Sequence, residues 1–424
     1  MASKLIIATL LTGIISGFFI TFYSLLITFF TYLFFQGNPL NTIPNLPIWY
    51  LYLVPITAIF LVNYLISKDK HIQEYGVSEI ADSITQNKIT FKIKTLFWKI
   101  IASTLSLSSG FSVGTEGPSA GIGAMIAYHI HKIFKLPTIL IKMMISVGAS
   151  AGIAAIFVSP LTGVAFAVEN IAYQFLKKYI GYLILASFIA FLVTISFLEP
   201  IIFLHSKGKA FVLSHLVGYI LFLPYITFFI YFYLFLKRKV LSFIDFKIIR
   251  NLSQKYRRYI FAFVGGVIVG TILTIAPQAS FSGHELVLNL INSQKKIELS
   301  VIFLILILRI INTTISIYSN AIGGIFLPLM SIGALTGYSY AELLISYTSL
   351  DIEPFYFAAI GASVFMGVIM KLPLTAVVLA LETTFDYNVV VATGIIVVFV
   401  EYFSLLAFDI KRGDVLKKLK DKKS

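Results

Sequence analysis

The sequence predicts an all-α integral membrane protein made of two inverted-topology repeats, with helices that cross the membrane fully and others that cross it in part. Three observations predict this fold: an apolar composition, long apolar runs and an internal repeat. Hydrophobic residues make up 58% and charged residues 12% of the 424 residues, and the mean hydropathy is +0.92. A soluble domain has about 25% charged residues. The chain therefore belongs to the multi-pass membrane class.

Apolar runs long enough to cross a hydrocarbon core of roughly 30 Å recur along the chain. They occupy residues 5–35, 48–66, 137–158, 179–198, 211–236, 259–276, 299–318 and 389–408. The segments 114–128 and 160–176 are shorter or richer in glycine, so we expect them to cross only part of the membrane. The first run exceeds the apolar region of about 7–15 residues in a signal peptide, which predicts a retained first helix.

The net charge is +14. The positive-inside rule, by which basic residues collect in the cytoplasmic loops of membrane proteins, explains this charge better than a nucleic-acid partner does. Basic residues cluster in short loops and in the tail from Lys411, whereas loop 36–47 has no charge. We expect that loop outside, the tail in the cytoplasm, and lipid around the helices. The chain has no cysteine, which excludes disulfides and thiolate metal sites. We expect no metal ion and no other cofactor.

The chain contains an internal repeat. Residues 99–128 match residues 309–338 at 11 of 30 positions, and residues 148–169 match residues 361–382 at 10 of 22 positions. We predict a first membrane repeat over 1–198, a connecting segment over 199–210, a second membrane repeat over 211–410 and a basic cytoplasmic tail over 411–424.

Charges at equivalent helix ends indicate that the two repeats have opposite orientations. The first repeat has three lysines after its motif, whereas the second has three acids: Lys132, Lys135 and Lys142 against Glu342, Asp351 and Glu353. Basic ends face the cytoplasm, so equivalent ends face opposite sides of the membrane. Inverted repeats are typical of secondary transporters, whose substrate site lies where the repeats meet.

Two G-x-x-x-P motifs lie at equivalent positions, GTEGP at 114–118 and GIFLP at 324–328. Proline suits the first turn of a helix, so both helices are expected to begin inside the membrane. Their free N–H groups and positive dipole ends attract an anion. The motifs therefore predict a site for a small anion that uses no lysine or arginine, with Gly114, Gly117 and Gly324 in its loops.

Glu116 lies inside the first of these motifs, and the equivalent residue in the second is Phe326. The fold itself therefore does not require the carboxylate. Intramembrane carboxylates are functional by default. We expect that Glu116 occupies the place of an anion when charged and leaves it when protonated, as a gate and proton carrier. The alternative is an exposed loop acid or a charge at a helix end.

The segments GTEGP, GIFLP and KLPLTAVVLALETTFDYN (371–388) resemble the signature segments of the CLC chloride channel/transporter family. The resemblance extends over about residues 5–416. It implies a homodimer with one anion pathway in each subunit, chloride as the transported ion, and a bacterial inner membrane. It also implies that Glu116 is the gating glutamate and that the backbone amides of Ile325 and Phe326 bind the anion.

Two departures from the family pattern concern the anion and the proton. The best match to the first filter segment is EYGVSEI (74–80), where Tyr75 replaces the expected serine and Gly76 and Val77 follow it. A family branch with methionine at that position prefers fluoride, so the preferred anion stays open.

Asn170 occupies the position of the proton-relay glutamate and cannot titrate. Glu169, beside it, is a proton-pathway candidate, or it anchors a helix end as its equivalent Glu382 would.

We therefore predict transport of a small anion, chloride in the first instance, in exchange for protons. A passive or uncoupled channel of the same family, for fluoride or another anion, is the main alternative. Another inverted-repeat transporter is a more distant alternative.

GASAG (148–152) fits the pattern of a hydrolase nucleophile but lies in a predicted helix, so we predict no enzyme. The histidines of HIH (129–131) diverge on a helix and predict no metal site.

Overall fold

The fold is helical throughout its regular structure. The computed structural model describes residues 2–73, 92–170, 176–198, 216–244, 253–292, 298–348, 352 and 354–408. Within these ranges the one extended pairing is an antiparallel bridge between Gly114 and Gly324. The predicted connecting segment 199–210, the tail 411–424, and Tyr75, Gly76 and Val77 lie outside the described residues.

The first repeat contains eight of the described α-helices. They are α1 (Ala2–Phe35), α2 (Pro39–Thr42), α3 (Ile48–Lys68), α4 (Ile93–Ser108), α5 (Glu116–Ile133), α6 (Ile141–Phe157), α7 (Pro160–Asn170) and α8 (Leu176–Thr194). Short 3-10 turns occur at Ile43–Asn45, Lys70–Ile72 and Thr138–Leu140.

The second repeat also contains eight of the described α-helices. They are α9 (Leu216–Ile244), α10 (Gln254–Ile275), α11 (His284–Asn292), α12 (Leu299–Tyr318), α13 (Phe326–Tyr347), α14 (Pro354–Met370), α15 (Pro373–Thr384) and α16 (Tyr387–Phe408). A 3-10 turn at Pro277–Ala279 joins α10 to the loop before α11.

The structure confirms two repeats of inverted topology. Helices α5 and α13 begin at Glu116 and Phe326, which are equivalent residues of the sequence repeat. In the bridge, the N–H of Gly114 donates to the carbonyl of Gly324 at 2.7 Å, and the N–H of Gly324 donates to the carbonyl of Gly114 at 2.7 Å. Equivalent residues that bond to each other in this reciprocal way lie on a local two-fold axis, and their segments run in opposite directions.

The first helices of the two halves carry a further match that extends the repeat towards the N-terminus. FFITFYSLL (18–26) of α1 and FFIYFYLFL (228–236) of α9 are identical at six of nine positions. The matched tyrosines, Tyr23 and Tyr233, each have 0% of their surface exposed. The two halves therefore share interior side chains as well as helix order.

Both full and partial membrane helices are present, as the sequence predicts. Six stretches of the described residues are long and apolar enough to cross a membrane: Ala2–Asn45, Ile48–Lys68, Thr138–Phe157, Val217–Val240, Tyr256–Ile275 and Leu299–Tyr318. By contrast, α7 has 11 residues and α15 has 12. At about 1.5 Å per residue these two helices reach little more than halfway through the hydrocarbon core.

Glycines bring the helices that follow each motif into close contact. A Cβ atom at Gly123 of α5 would lie 2.0 Å from the carbonyl oxygen of Gly148 on α6. In the second repeat, a Cβ atom at Gly333 of α13 would lie 2.1 Å from the carbonyl oxygen of Gly361 on α14. Small residues allow such approach between membrane helices. The two glycine contacts hold α5 and α13 in place behind their N-terminal ends.

A buried arginine fastens the second motif helix to the loop before α11. Arg309 of α12 has 0% of its surface exposed. Its Nε donates to Ser331 Oγ at 2.8 Å and its Nη1 donates to the carbonyl of Ser280 at 2.6 Å. The equivalent cation, Lys99 of α4, donates to the carbonyl of Ile72 at 3.1 Å. Both cations thus bond to backbone carbonyls of the segments that their helices pack against.

Replacement of Gly123 by alanine is expected to destabilise the protein, because the new methyl group overlaps the backbone of α6. We expect Gly123→Ala to lower the free energy of unfolding by about 2–3 kcal/mol. Gly218→Ala on α9 is the matched control, since its Cβ atom would meet its nearest neighbour, Phe357 Cζ, at an ordinary 3.6 Å. Thermal unfolding in detergent, followed by tryptophan fluorescence, measures both. Equal midpoints for the two variants would contradict the close packing.

Candidate anion-binding site

The two motif loops are each fastened by a serine of the other repeat. Ser106 of α4 accepts a hydrogen bond from the N–H of Ile322 at 2.9 Å. Ser316 of α12 accepts one from the N–H of Ser112, also at 2.9 Å. These two contacts are equivalent under the repeat. Together with the Gly114–Gly324 bridge, they place the starts of α5 and α13 against each other in the centre of the protein.

The Glu116 carboxylate lies at the N-terminal end of the other repeat's helix. Its Oε1 accepts a hydrogen bond from the N–H of Phe326, the first residue of α13, at 2.5 Å. The N–H of Leu327 also faces the carboxylate. Glu116 is 1% exposed, so it is closed off from both sides of the membrane. The carboxylate therefore satisfies backbone donors that a buried helix start would otherwise leave unpaired.

Two equivalent glycines form the cradle that holds this carboxylate. A Cβ atom at Gly114 would lie 2.1 Å from Oε2, and one at Gly324 would lie 2.0 Å from Oε1 of Glu116. Any side chain at either position would displace the carboxylate. Gly117, the third predicted glycine, packs on Gly324, with the Cα of Gly324 at 3.4 Å from a Cβ built there. The cradle thus has room for a group of small-anion size, and Glu116 fills it.

The second carboxylate oxygen, Oε2, is buried and has no hydrogen-bond partner among the residues that the structure describes. When the carboxylate is charged, Oε2 can only accept a hydrogen bond and has no donor there. When Oε2 carries a proton, it can donate a hydrogen bond instead. One oxygen of Glu116 is therefore held by α13 and the other is available for a proton.

Aromatic rings and an open cavity lie around the cradle. The ring of Phe326 is fully buried and packs on Phe157 at 4.7 Å and on Phe166 at 6.2 Å between centroids. A cavity of about 240 Å³ reaches Thr115, next to Glu116, and is also lined by Asn38 of loop 36–47. None of the described residues that line it is a lysine or an arginine. The cavity thus ends one residue from Glu116, on the side on which we expect loop 36–47, the outer side, and Glu116 itself does not line it.

Glu169 and Glu382 cap helices of the opposite repeat. Glu169, near the end of α7, accepts hydrogen bonds at the start of α15 from the N–H groups of Leu374 at 2.7 Å and Thr375 at 2.8 Å. Glu382, near the end of α15, accepts from those of Leu161 at 2.9 Å and Thr162 at 2.6 Å at the start of α7. Both carboxylates also accept from the threonine hydroxyls. Each is therefore an N-terminal cap supplied across the repeat boundary.

Asn170 is the last residue of α7, and its side-chain nitrogen is buried without a partner among the described residues. Ile325, for which the family resemblance predicted an amide contact, is the residue before α13, and its carbonyl accepts from the N–H of Leu329. The sequence analysis did not identify Leu327 as a donor to the Glu116 carboxylate.

The P-L-T segments at the starts of α7 and α15 could have indicated the glutamate caps, because the threonine there offers both its N–H and its hydroxyl to one carboxylate.

A sequence model of the voltage gated chloride channel family matches residues 56–404. The chain is also 25% identical over 399 residues to the H(+)/Cl(-) exchange transporter ClcA of Vibrio parahaemolyticus, covering 91% of this chain and 83% of that protein. Its fold is similar to the crystal structure of a slow cyanobacterial Cl-/H+ antiporter, with a TM-score of 0.83, 23% identity, and coverage of 96% and 95% of the two chains. A CLC-type fluoride/proton antiporter is similar with a TM-score of 0.75, 20% identity and coverage of 95% of both chains.

Loss of either cross-repeat cap is expected to destabilise the protein by a similar amount. Glu169→Gln and Glu382→Gln each replace a carboxylate that accepts from two N–H groups by an amide, whose NH₂ end repels them. We expect each to lower the free energy of unfolding by about 1–2 kcal/mol. Glu298→Gln is the control for loss of a charge, since Glu298 is exposed and its side chain makes no cap hydrogen bond. Unequal effects of the two cap variants in thermal unfolding would contradict the symmetric role.

Proposed function

This chain belongs to the voltage-gated chloride channel family, and we propose that it moves a small anion, chloride in the first instance, across a membrane in exchange for protons. Glu116 is the gate and the proton carrier of this exchange. The observation that carries the proposal is the Glu116 carboxylate between Gly114 and Gly324, bonded to the N–H of Phe326. A carboxylate oxygen at the N-terminal end of α13 has the negative charge and the hydrogen-bond donors that a bound small anion would have there.

The site suits a transported anion because its positive potential comes from backbone groups. The N–H groups of Phe326 and Leu327 and the dipole of α13 attract an anion with partial charges. A buried lysine or arginine would instead form an ion pair that releases its partner slowly. An anion held by helix ends alone can be bound and released in each cycle.

Competition for one place couples the anion to the proton. While Glu116 is charged, its Oε1 occupies the cradle and excludes the anion. A proton on Oε2, which has no partner among the described residues, removes the charge that holds the carboxyl at α13. The neutral carboxyl then leaves the cradle, the anion enters, and the proton is released when the carboxylate returns.

A passive or uncoupled channel is the second candidate function, and Asn170 favours it. An exchanger needs a proton route from the cytoplasmic side, and asparagine at the predicted relay position does not titrate. Two proteins of similar fold, a Cl-/H+ antiporter and a CLC-type fluoride/proton antiporter, support exchange over a channel. They differ in the anion, so the liposome assay determines which anion this chain prefers.

We further propose that the protein is a homodimer in a bacterial inner membrane, surrounded by lipid, and that it uses no cofactor. Apolar side chains follow the exposed side of α8 at four-residue spacing: Ile180, Ile184, Phe188 and Leu192. Helix α16, equivalent to α8 in the second repeat, exposes Ile395 and Phe399 at the same spacing. The dimer contact implied by the family resemblance, near 163–198 and 376–406, includes both helices.

Replacement of Glu116 tests the proposed exchange directly. Purified wild type and Glu116→Ala are reconstituted in liposomes, with a potassium ionophore to set the voltage and a pH probe outside. Wild type is expected to drive protons uphill with an anion gradient. Glu116→Ala is expected to keep anion efflux and to lose at least about tenfold in proton movement, because the carrier carboxyl is absent.

Glu298→Ala is the matched control, since it removes an exposed carboxylate that makes no side-chain cap hydrogen bond and does not line the outer cavity. Chloride, fluoride and nitrate are supplied in turn, so the same assay ranks the anions. Anion efflux without proton movement in the wild type would replace exchange by a channel. The absence of any anion efflux would reject both candidate functions.

The cap variants separate a structural Glu169 from a proton carrier. Both Glu169→Gln and Glu382→Gln are expected to keep the wild-type number of protons moved per anion, because both carboxylates are engaged by helix N–H groups. The ratio is measured from parallel anion and proton fluxes in liposomes. A ratio that falls in Glu169→Gln alone would assign Glu169 to the proton pathway.

A further inference from the structure

Three carboxamide side chains are joined by hydrogen bonds at the start of the second motif loop. The Nε2 of Gln73 donates to Oδ1 of Asn320 at 3.0 Å, and the Nδ2 of Asn320 donates to Oδ1 of Asn63 at 3.0 Å. The Nδ2 of Asn63 donates to the carbonyls of Ile59 at 2.9 Å and Ser319 at 3.0 Å. We call Gln73, Asn320 and Asn63 the amide chain. It joins α3 and the turn after it to the loop before α13.

The two backbone carbonyls at one end of the amide chain determine the direction of each hydrogen bond in it. Both hydrogens of the Asn63 amide bond to these carbonyls, so its oxygen is left to face Asn320. Asn320 must then present its NH₂ group to Asn63 and its oxygen to Gln73. Asn63 is 0% exposed, so water does not compete for its amide. The amide chain therefore has one arrangement in which every bond is made.

The repeat indicates that the amide chain and the outer cavity lie on opposite sides of the cradle. The equivalent cations of α4 and α12 bond to the carbonyls of Ile72 and Ser280. The residues that follow these carbonyls, Gln73 and Phe281, are therefore equivalent. Phe281 lines the outer cavity. Because the repeats are inverted, Gln73 lies on the inner side, close in sequence to the basic residues of 68–70, as the positive-inside rule predicts.

The first repeat holds the equivalent loop position in a different way. The N–H of Phe281 donates to the carbonyl of Gly110 at 3.2 Å. Gly110 and Asn320 are equivalent under the repeat, and both have a left-handed backbone, with φ of 98° and 62°. Glycine adopts this conformation freely, and asparagine is one of the few other residues that tolerate it. Asparagine at position 320 thus keeps the turn of the loop and adds a side chain that the first repeat lacks.

A short stretch of the second motif loop connects the amide chain to the anion site. It runs from Asn320 through Ile322, whose N–H donates to Ser106 Oγ, to Gly324 in the bridge between the repeats. Helix α13 begins two residues later, at Phe326. Because the stretch is short, a displacement of Asn320 is passed to the N–H groups at the start of α13. A site keeps its preference among ligands only when its donors are held within about 0.5 Å.

We propose that Asn320 is a positioning residue for anion selectivity, and that Gln73 and Asn63 act through it. The amide chain holds the second motif loop, and with it the N–H groups at the start of α13, at the spacing that fits anions of one size. This role rests on the anion transport proposed above. A protein without the amide chain is expected to fold and to carry anions, but with a cradle that adapts to ions of different size.

The test uses substitutions that break the amide chain and preserve the backbone. Asn320→Gly retains the left-handed conformation, as Gly110 does in the other repeat, and removes both side-chain hydrogen bonds. Gln73→Met removes one of these bonds and keeps a side chain of similar length. Gln36→Gly is the matched control, since Gln36 also has a left-handed backbone, with φ of 57°, but an exposed side chain between α1 and α2.

Efflux of chloride, fluoride and nitrate from liposomes measures selectivity as the ratio of the fastest to the slowest anion. Asn320→Gly is expected to bring this ratio at least about threefold closer to one, the order of effect of one lost hydrogen bond. Gln73→Met is expected to shift the ratio in the same direction. The double variant is expected to match Asn320→Gly alone, because both substitutions break the same contact. Gln36→Gly is expected to keep the wild-type ratio.

Hydrogen–deuterium exchange of the backbone gives a readout that does not depend on transport. The N–H groups of 321–327 are expected to exchange at least about threefold faster in Asn320→Gly and in Gln73→Met, because the loop is less firmly held. Their exchange in Gln36→Gly is expected to equal that of wild type. Mass spectrometry of the peptides from this loop measures all three variants.

The outcomes distinguish the role of Asn320 from the proposed transport. If wild type carries anions and the variants keep its ratio, or if wild type does not discriminate between anions, the role of Asn320 is overturned and the transport stands. An equal loss of efflux for all three anions would also overturn it, since the effect would then be structural. A wild type that carries no anion rejects the transport and the selectivity role together, and hydrogen exchange then shows whether the amide chain holds the loop.

Discussion

A helix that begins inside a membrane leaves backbone N–H groups without water, and the architecture of this protein supplies acceptors for them. Glu116 meets the start of α13, Glu382 meets the start of α7, and Glu169 meets the start of α15. In each case the acceptor comes from the other repeat. Because unpaired donors are costly in lipid, neither repeat can satisfy its own helix starts without its counterpart. The same requirement that joins the repeats also creates the place that the Glu116 carboxylate fills.

The contacts between the repeats come in reciprocal pairs, and these pairs form the frame of the site. The Gly114–Gly324 bridge lies on the local two-fold axis, and the serine contacts and the glutamate caps lie around it. Because each of these contacts occurs once in either repeat, together they hold the two helix starts at a fixed distance. The chemical properties of the site then depend on the positions at which the two repeats have different residues. Glu116 opposite Phe326 is the central difference, since it puts one titratable group into a symmetric cradle.

The same contrast between frame and chemistry applies to other equivalent positions of the two halves. Tyr23 and Tyr233 are both fully buried, so the repeat preserves these interior side chains, whereas Glu116 and Phe326 differ. Asn170 lies next to a glutamate that is engaged as a cap. The similarity to known antiporters, at 23% and 20% identity, establishes the fold around Glu116. Under the proposed exchange, the proton route depends on side chains that this chain does not share with the family pattern.

Much of the fold was determined by local properties of the sequence. Composition identified the membrane class, the repeat offsets related the halves, and G-x-x-x-P marked the helix starts at Glu116 and Phe326. Which acceptor meets which donor was decided only by the tertiary structure. The Glu116 carboxylate accepts from the start of the other repeat's helix, 210 residues away in sequence, and Leu327 adds a donor that the sequence did not indicate. Such pairings join distant parts of the chain, and no local pattern records how helices cross.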